Sequence, residues 1–276
     1  MALGVDTASY LTDIDWTAFE GWAGEYPSYA GRYFGGGYDW ESGEFSSAYA
    51  ATGGTLSKII PLQGDTTAIQ ERQETSGSAG FTYGQEDAQA TCDSIKTALT
   101  NNELQLPTGG VVALYMDVED GVALTVDYWS GWANAVFTYK LSDGSEPFSP
   151  CIYTRFVKNS SGMYVPQSSV AQALNSSCAS YPTEQTLCYG LWSNEPEPCS
   201  YCTPPFNPDW TVFGPVTQVC GQALHEVYVE LYQFAERSGC VNTCNVPDFA
   251  GKQNLDLDSD NSGQTGAQQA MLVIVP

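Results

Sequence analysis

Three carboxylates stand out by type and spacing. Asp117 and Glu119 close the run Val111-Val112-Ala113-Leu114-Tyr115-Met116-Asp117-Val118-Glu119, one residue apart, and Asp6 ends an earlier apolar segment, Ala2 to Asp6. Alternate side chains of a strand share a face, so Asp117 and Glu119 project together from one strand end. Carboxyls gathered at one place cannot all ionise at their ordinary pKa values. One keeps its proton while another stays charged, which is the division of labour that cleavage of a glycosidic bond requires. The blander reading is that Asp117 and Glu119 cap a strand end and pair with Arg32 or Lys140.

The elements that must position these acids follow from the hydrophobic pattern. Strands are expected at 2–6, at 29–34 before the triplet Gly35 to Gly37, and at 56–62. The run 111–119 is nearly all apolar, as in a strand buried on both faces of a parallel sheet. Thr82-Tyr83-Gly84-Gln85 has the form of a capping box, and Ala88, Cys92, Ile95 and Leu99 recur at helical spacing after it. A second helix is marked by Trp129, Trp132, Ala133, Val136 and Phe137, and a short one by Val170 and Leu174. Further strands are expected at 151–154, 188–192, 229–234 and 271–275. This alternation predicts an α/β barrel of the TIM type, with 1–276 as one domain. Catalytic groups of such barrels sit at the C-terminal strand ends, where Asp6, Asp117 and Glu119 all fall.

Charge and cysteine content narrow the function. Nine Lys and Arg against 32 Asp and Glu leave a net charge of -23, which excludes a nucleic-acid backbone as partner. No apolar run is long enough for a membrane helix, so no membrane insertion is expected. Nine cysteines, at 92, 151, 178, 188, 199, 202, 220, 240 and 244, suggest disulfides and an oxidising, extracellular location. Asn159-Ser160-Ser161 and Asn175-Ser176-Ser177 fit a glycosylation pattern and point weakly the same way. Met1-Ala2 leads straight into a strand, and the expectation is that an export signal has been removed. The proline-rich stretch 195–220 reads as a loop insertion stapled by disulfides, leaving Cys92, on an apolar helix face, as the odd thiol.

Other motifs compete. Cys199-x-x-Cys202 with Cys240-x-x-x-Cys244 has a zinc-like spacing, against the simpler reading of disulfides. Asp256, Asp258 and Asp260 resemble the front of a calcium loop but lack its terminal glutamate, since that position falls on Ala267 or Gln269. We therefore expect neither metal nor other cofactor. His225 is the sole histidine, and without a Gly-x-Ser-x-Gly elbow a Ser-His-Asp hydrolase is not expected.

A resemblance joins these features. Gly4-Val5-Asp6-Thr7-Ala8-Ser9, Arg32-Tyr33-Phe34, Tyr83-Gly84-Gln85-Glu86-Asp87-Ala88, Leu114-Tyr115-Met116-Asp117-Val118-Glu119-Asp120 and Cys151-Ile152-Tyr153-Thr154 resemble successive landmarks of one family. It is the glycoside-hydrolase-like TIM-barrel family found in secreted bacterial proteins and related to the family 25 muramidases. Tyr232-Gln233-Phe234 and Leu255-Asp256-Leu257-Asp258 are similar to two later muramidase motifs, with Tyr232 where those enzymes carry tryptophan. The resemblance implies Glu119 as general acid, Asp117 stabilising a substrate-derived intermediate, and Asp6 and Asp256 positioning sugar and water. Gln233, Tyr232, Tyr33, Trp192 and Arg32 complete the expected substrate site, with Tyr33 and Trp192 as rings that stack on sugars. The expectation is a secreted, monomeric, lysozyme-like hydrolase of a β-linked aminosugar polymer such as peptidoglycan. The alternative is a barrel without turnover that binds cell-wall glycan.

Overall fold

The computed structural model describes residues 2–36, 39–64, 66–177, 190–194, 209–213, 228–235, 255–260 and 267–276. Its strands are β1 (Leu3–Thr7), β2 (Tyr29–Phe34), β3 (Lys58–Gln63), β4 (Leu104–Gln105), β5 (Val112–Val118), β6 (Phe148–Lys158), β7 (Tyr164–Pro166), β8 (Gly190–Asn194), β9 (Tyr228–Ala235), β10 (Leu255–Asp260) and β11 (Leu272–Ile274). Its α-helices are α1 (Trp16–Ala23), α2 (Glu44–Ala51), α3 (Thr67–Gln73), α4 (Gly77–Thr100), α5 (Val126–Thr138) and α6 (Ser168–Ser177).

Eight of the strands pair in a closed ring, in the order β1, β2, β3, β5, β6, β8, β9, β10 and back to β1. The ring is barrel-like and mixed, which corrects the all-parallel expectation. β10 runs antiparallel to both β9 and β1, whereas the other ring pairings are parallel. Outside the ring, β11 pairs antiparallel with β3 and β4, and β7 folds back on β6.

Local chemistry sets the helix starts. The side chains of Asp15, Thr66 and Thr125 accept the backbone N–H of Ala18, Ile69 and Tyr128, capping α1, α3 and α5. The expected capping box at Thr82 is overturned. α4 begins five residues earlier in the chain, after Ser76, and Thr82 lies inside it, its hydroxyl donating to the Ser78 carbonyl at 2.9 Å. Gly84, inside α4, is required by packing. A Cβ on Gly84 would lie 2.2 Å from the Tyr128 carbonyl oxygen, and one on Gly131 would lie 2.0 Å from that of Phe81. The two glycines let α4 and α5 approach closely.

Strand alternation divides the buried side chains into two layers. Val5, Ala30, Phe34, Ile59, Val112, Leu114, Met116, Ile152 and Leu257 join the helix-facing core. Tyr29, Ile60, Leu62, Ala113, Tyr115, Cys151, Tyr153, Trp192 and Leu231 form a separate cluster inside the ring. The Trp192 indole meets Tyr115 and Tyr153 edge-on, with centroids at 5.6 and 5.3 Å. Room for it comes from Gly31 across the ring, where a Cβ would stand 2.5 Å from Trp192 Cη2 and 2.8 Å from the Asp6 Cβ. Overpacking a filled interior costs about 1–3 kcal/mol. Gly31→Ala is therefore expected to lower stability by that amount, read as a shift in the urea unfolding midpoint with unchanged slope.

Candidate active site

The mouth of the ring, at the C-terminal ends of its parallel strands, collects the carboxyls. Asp6 lies one residue before the end of β1, in register with Gly31 of β2 and Asp256 of β10. Asp117 lies one residue before the end of β5, level with Tyr153 of β6, and Glu119 follows the strand directly. Because β10 is reversed, its first residues are the ones at the mouth. Asp256 is thus level with Asp6, while Asp258 sits one layer deeper, opposite Gly4.

Burial grades these acids. Asp6 is 7% exposed, Asp117 1% and Asp258 0%, whereas Glu119 and Asp256 are half-buried at the rim. Two phenols supply hydrogen bonds among them. The Tyr33 hydroxyl donates to Asp117 Oδ2 at 2.9 Å, and the Tyr153 hydroxyl donates to Gln233 Oε1 at 2.6 Å. Burial raises both phenol pKa values well above the usual range. The charges of Asp117, Asp6 and Glu119 raise Tyr33 further, and those of Asp6, Asp117 and Glu119 raise Tyr153. Both phenols remain neutral donors, and each lies in the field of the same three carboxyls. These are the three acids expected to converge.

Neighbouring amides fix the backbone that carries the acids. Gln73 of α3 donates from Nε2 to the Asp117 carbonyl oxygen at 2.7 Å. Gln167 donates to Thr154 Oγ1 at 2.9 Å and to the Glu119 carbonyl oxygen at 3.4 Å. Asp258 is held from the other side, where the Trp192 Nε1–H donates to its Oδ1 at 3.0 Å. Burial pushes the Asp258 pKa well above the carboxylate range and the Asp256 charge adds to the rise, while hydrogen bonds from Asp6 and Trp192 oppose it. A rim acid with access to solvent above buried acids fixed by neutral donors is an arrangement able to hold and release a proton.

Several expected site residues fall elsewhere. Trp192 is fully buried inside the ring and presents no face to a sugar. Arg32 lies on the helix-facing side of β2. Its Nε donates to Glu44 Oε1 at 2.8 Å, its Nη2 to the Asp39 carbonyl oxygen at 3.2 Å, and its guanidinium lies 5.4 Å from the Tyr10 ring centre. Both side chains of that ion pair are fully buried. Tyr33 and Gln233 belong to the mouth, and Tyr232 occupies the β9 position opposite Ser193. Asp256, Asp258 and Asp260 form strand β10 and not a cation-binding loop. Same-face carboxyls along a strand step apart by about 6.6 Å instead of wrapping one ion.

Cys92 is a buried free thiol, as expected, and Cys151 is also a thiol, its Sγ 3.6 Å from the Ser149 carbonyl oxygen. Cys151 is therefore not part of a disulfide. The remaining cysteines, the zinc-like set and His225 lie outside the described residues, as does most of 195–220. Asp258, Tyr153, Gln73 and Gln167 were missed as site residues. Asp258 was legible in principle, since it shares strand parity with the assigned Asp256.

Among the described residues, no helix is long and apolar enough to cross a membrane. No family model and no curated protein matches the chain. Two solved structures resemble it. An uncharacterized B. stearothermophilus protein is 13% identical with a TM-score of 0.62, over 98% of this chain and 100% of that one. The Mycobacterium tuberculosis Tat-secreted protein Rv2525c, in complex with HEPES, is 12% identical with a TM-score of 0.45, over 95% of this chain and 96% of its own. The first likeness supports the fold alone.

Removing one partner of a buried ion pair leaves an uncompensated charge and costs about 3–5 kcal/mol. Glu44→Gln is expected to lose stability in that range, measured by chemical unfolding, because the buried Arg32 would keep its charge without the Glu44 carboxylate.

Proposed function

We propose that the protein is a secreted glycoside hydrolase of the family 25-like barrel type, acting on a β-linked aminosugar polymer such as peptidoglycan. The observation that carries this reading is the grading of acids at one mouth. Glu119 is half-buried, while Asp117 and Asp6 are buried, and all three act on the Tyr33 and Tyr153 phenols. Glu119 is the general acid: its proton passes to the glycosidic oxygen as the bond to the anomeric carbon breaks. The carbonyl oxygen of the substrate's own acetamido group closes on that carbon. Asp117, oriented by the Tyr33 hydroxyl, stabilises the positive charge of the resulting intermediate. Water then adds to the anomeric carbon as its bond to the acetamido oxygen breaks, and gives a proton to Glu119, restoring the acid. Asp6 and Asp256 position sugar and water, and Tyr33 offers its ring to the substrate.

A second reading, a glycan-binding module without turnover, draws on two observations. Asp117 is almost wholly buried and already engaged by Tyr33, and Trp192, expected to stack on sugar, is withdrawn into the ring.

Release of reducing ends from peptidoglycan and chitin oligomers separates the two. General-acid catalysis contributes roughly 10²–10⁴-fold, so Glu119→Gln is expected to lose turnover by that factor while still binding oligomers, and Asp117→Asn to lose turnover as well. Binding without turnover in the unaltered protein selects the binding module. Neither binding nor turnover on any glycan overturns both readings.

A further inference from the structure

We propose that Asp258 is a positioning residue for Asp6, the two carboxyls sharing one proton across the seam between β1 and β10. Both side chains are buried in the ring interior at diagonal positions of the antiparallel β1–β10 pair, Asp6 opposite Asp256 and Asp258 opposite Gly4, and a hydrogen bond links the two carboxyls. Asp258 Oδ1 already accepts the Trp192 indole N–H. Its Oδ2 meets no N–H or O–H donor among the described residues. Two ionised carboxylates have only acceptors to offer each other, so a hydrogen bond between them requires that one hold a proton.

Burial and the neighbouring acid Asp256 favour that proton, against the opposing hydrogen bonds from Asp6 and Trp192. Asp6 faces Asp258 from β1 and Tyr29 from β2, and the Tyr29 phenol is itself raised by burial and then by the charges of Asp258, Asp260 and Asp6. Trp192 approaches from β8, Gln233 is level with it on β9, and Asp256 and Asp260 flank it on β10. Among the described residues, no cation appears among the groups acting on Asp258. Lys58 lies in the field of Asp260 instead. A carboxyl buried with acids and neutral donors keeps its proton to higher pH, and the pair titrates as one unit. Loss of the shared proton sets two like charges side by side and releases Asp6 from its register opposite Gly31 and Asp256.

The sign of the pH dependence follows. The folded pair keeps a proton that the unfolded chain releases above about pH 4. Its stabilisation is complete below that pH and is lost as pH rises toward the folded pKa of the pair. Asp258→Asn preserves shape, accepts the Trp192 N–H and offers an amide N–H to Asp6, but has no proton to lose. The experiment is thermal and urea unfolding of wild type and Asp258→Asn from about pH 4 to 8, together with carbon-13 carboxyl titration of wild type by NMR.

The folding constant of wild type is expected to fall about tenfold per pH unit relative to Asp258→Asn across that window. One aspartate carboxyl carbon should keep its protonated shift near neutral pH. Parallel stability profiles, or every aspartate ionised by about pH 5, overturn the proposal. The NMR arm decides it even if the variant does not fold. The consequence for turnover rests on the glycosidase reading. If glycans are cleaved, the alkaline limb of the rate profile is expected to follow the pair and to shift in Asp258→Asn. If no glycan is cleaved, that reading fails while the two titrations still decide the shared proton.

Discussion

The ring interior is filled by a tryptophan, and the rest of the architecture accommodates it. An eight-stranded ring leaves space only for the side chains that point inward. Here that space holds Trp192 with Tyr29, Tyr115 and Tyr153, rings too large to be accepted all round. The opposing strands answer with glycine. Gly31 faces Trp192, and Gly4 faces Tyr29, whose ring would lie 2.0 Å from a Cβ there. The aromatic plug thus forms the floor on which the acids of the mouth stand. It also anchors Asp258 through the indole N–H, so packing and electrostatics meet in one side chain.

The chemistry of the mouth depends on which donors surround the acids. A chain with nine Lys and Arg against 32 acids has few cations to place, and Arg32 and Arg72 are committed to the helix-facing side. Arg32 pairs with Glu44, and Arg72 pairs with Glu86 and Asp87. Among the described residues, a phenol holds Asp117 and an indole holds Asp258, from Tyr33 and Trp192. Neutral donors stabilise a carboxylate less than a cation does, so at Asp258 burial is opposed only in part and the pKa stays raised. Retained protons are what a general acid and a shared acid pair both require.

The sequence was legible where a rule of backbone geometry acts alone. Alternation along Val112–Val118 is enough to bring Asp117 and Glu119 to one side, and the expected strand at 29–34 matches β2 residue for residue. It was illegible where tertiary packing decides. α2 and α3 are short and carry no strong apolar period, and the capping-box reading of Thr82 gives way because α4 begins at Gly77. Trp192 reads as a sugar platform because it ends the strand expected at 188–192, whereas β8 runs on to Asn194 and leaves the indole inside the ring. Arg32 sits beside Tyr33 in the chain, and the same alternation that sends Tyr33 to the mouth sends Arg32 to the helices. The assignment of both to one site therefore conflicted with the rule that correctly joined Asp117 and Glu119.

The reversal of β10 explains the remaining misreading. Functional groups were sought at C-terminal strand ends, a rule that holds for strands running parallel toward one mouth. In β10 the polarity is inverted, so Asp256 near its start is level with Asp6, while Asp260 at its end accepts the Ala2 N–H at the opposite face. Asp256, Asp258 and Asp260 look equivalent as a sequence triplet, yet the reversed strand gives them three environments. One is at the rim, one is buried against Trp192, and one is at the floor. Their same-face spacing, which resembles the front of a calcium loop, is the spacing of a strand that crosses the ring from mouth to base.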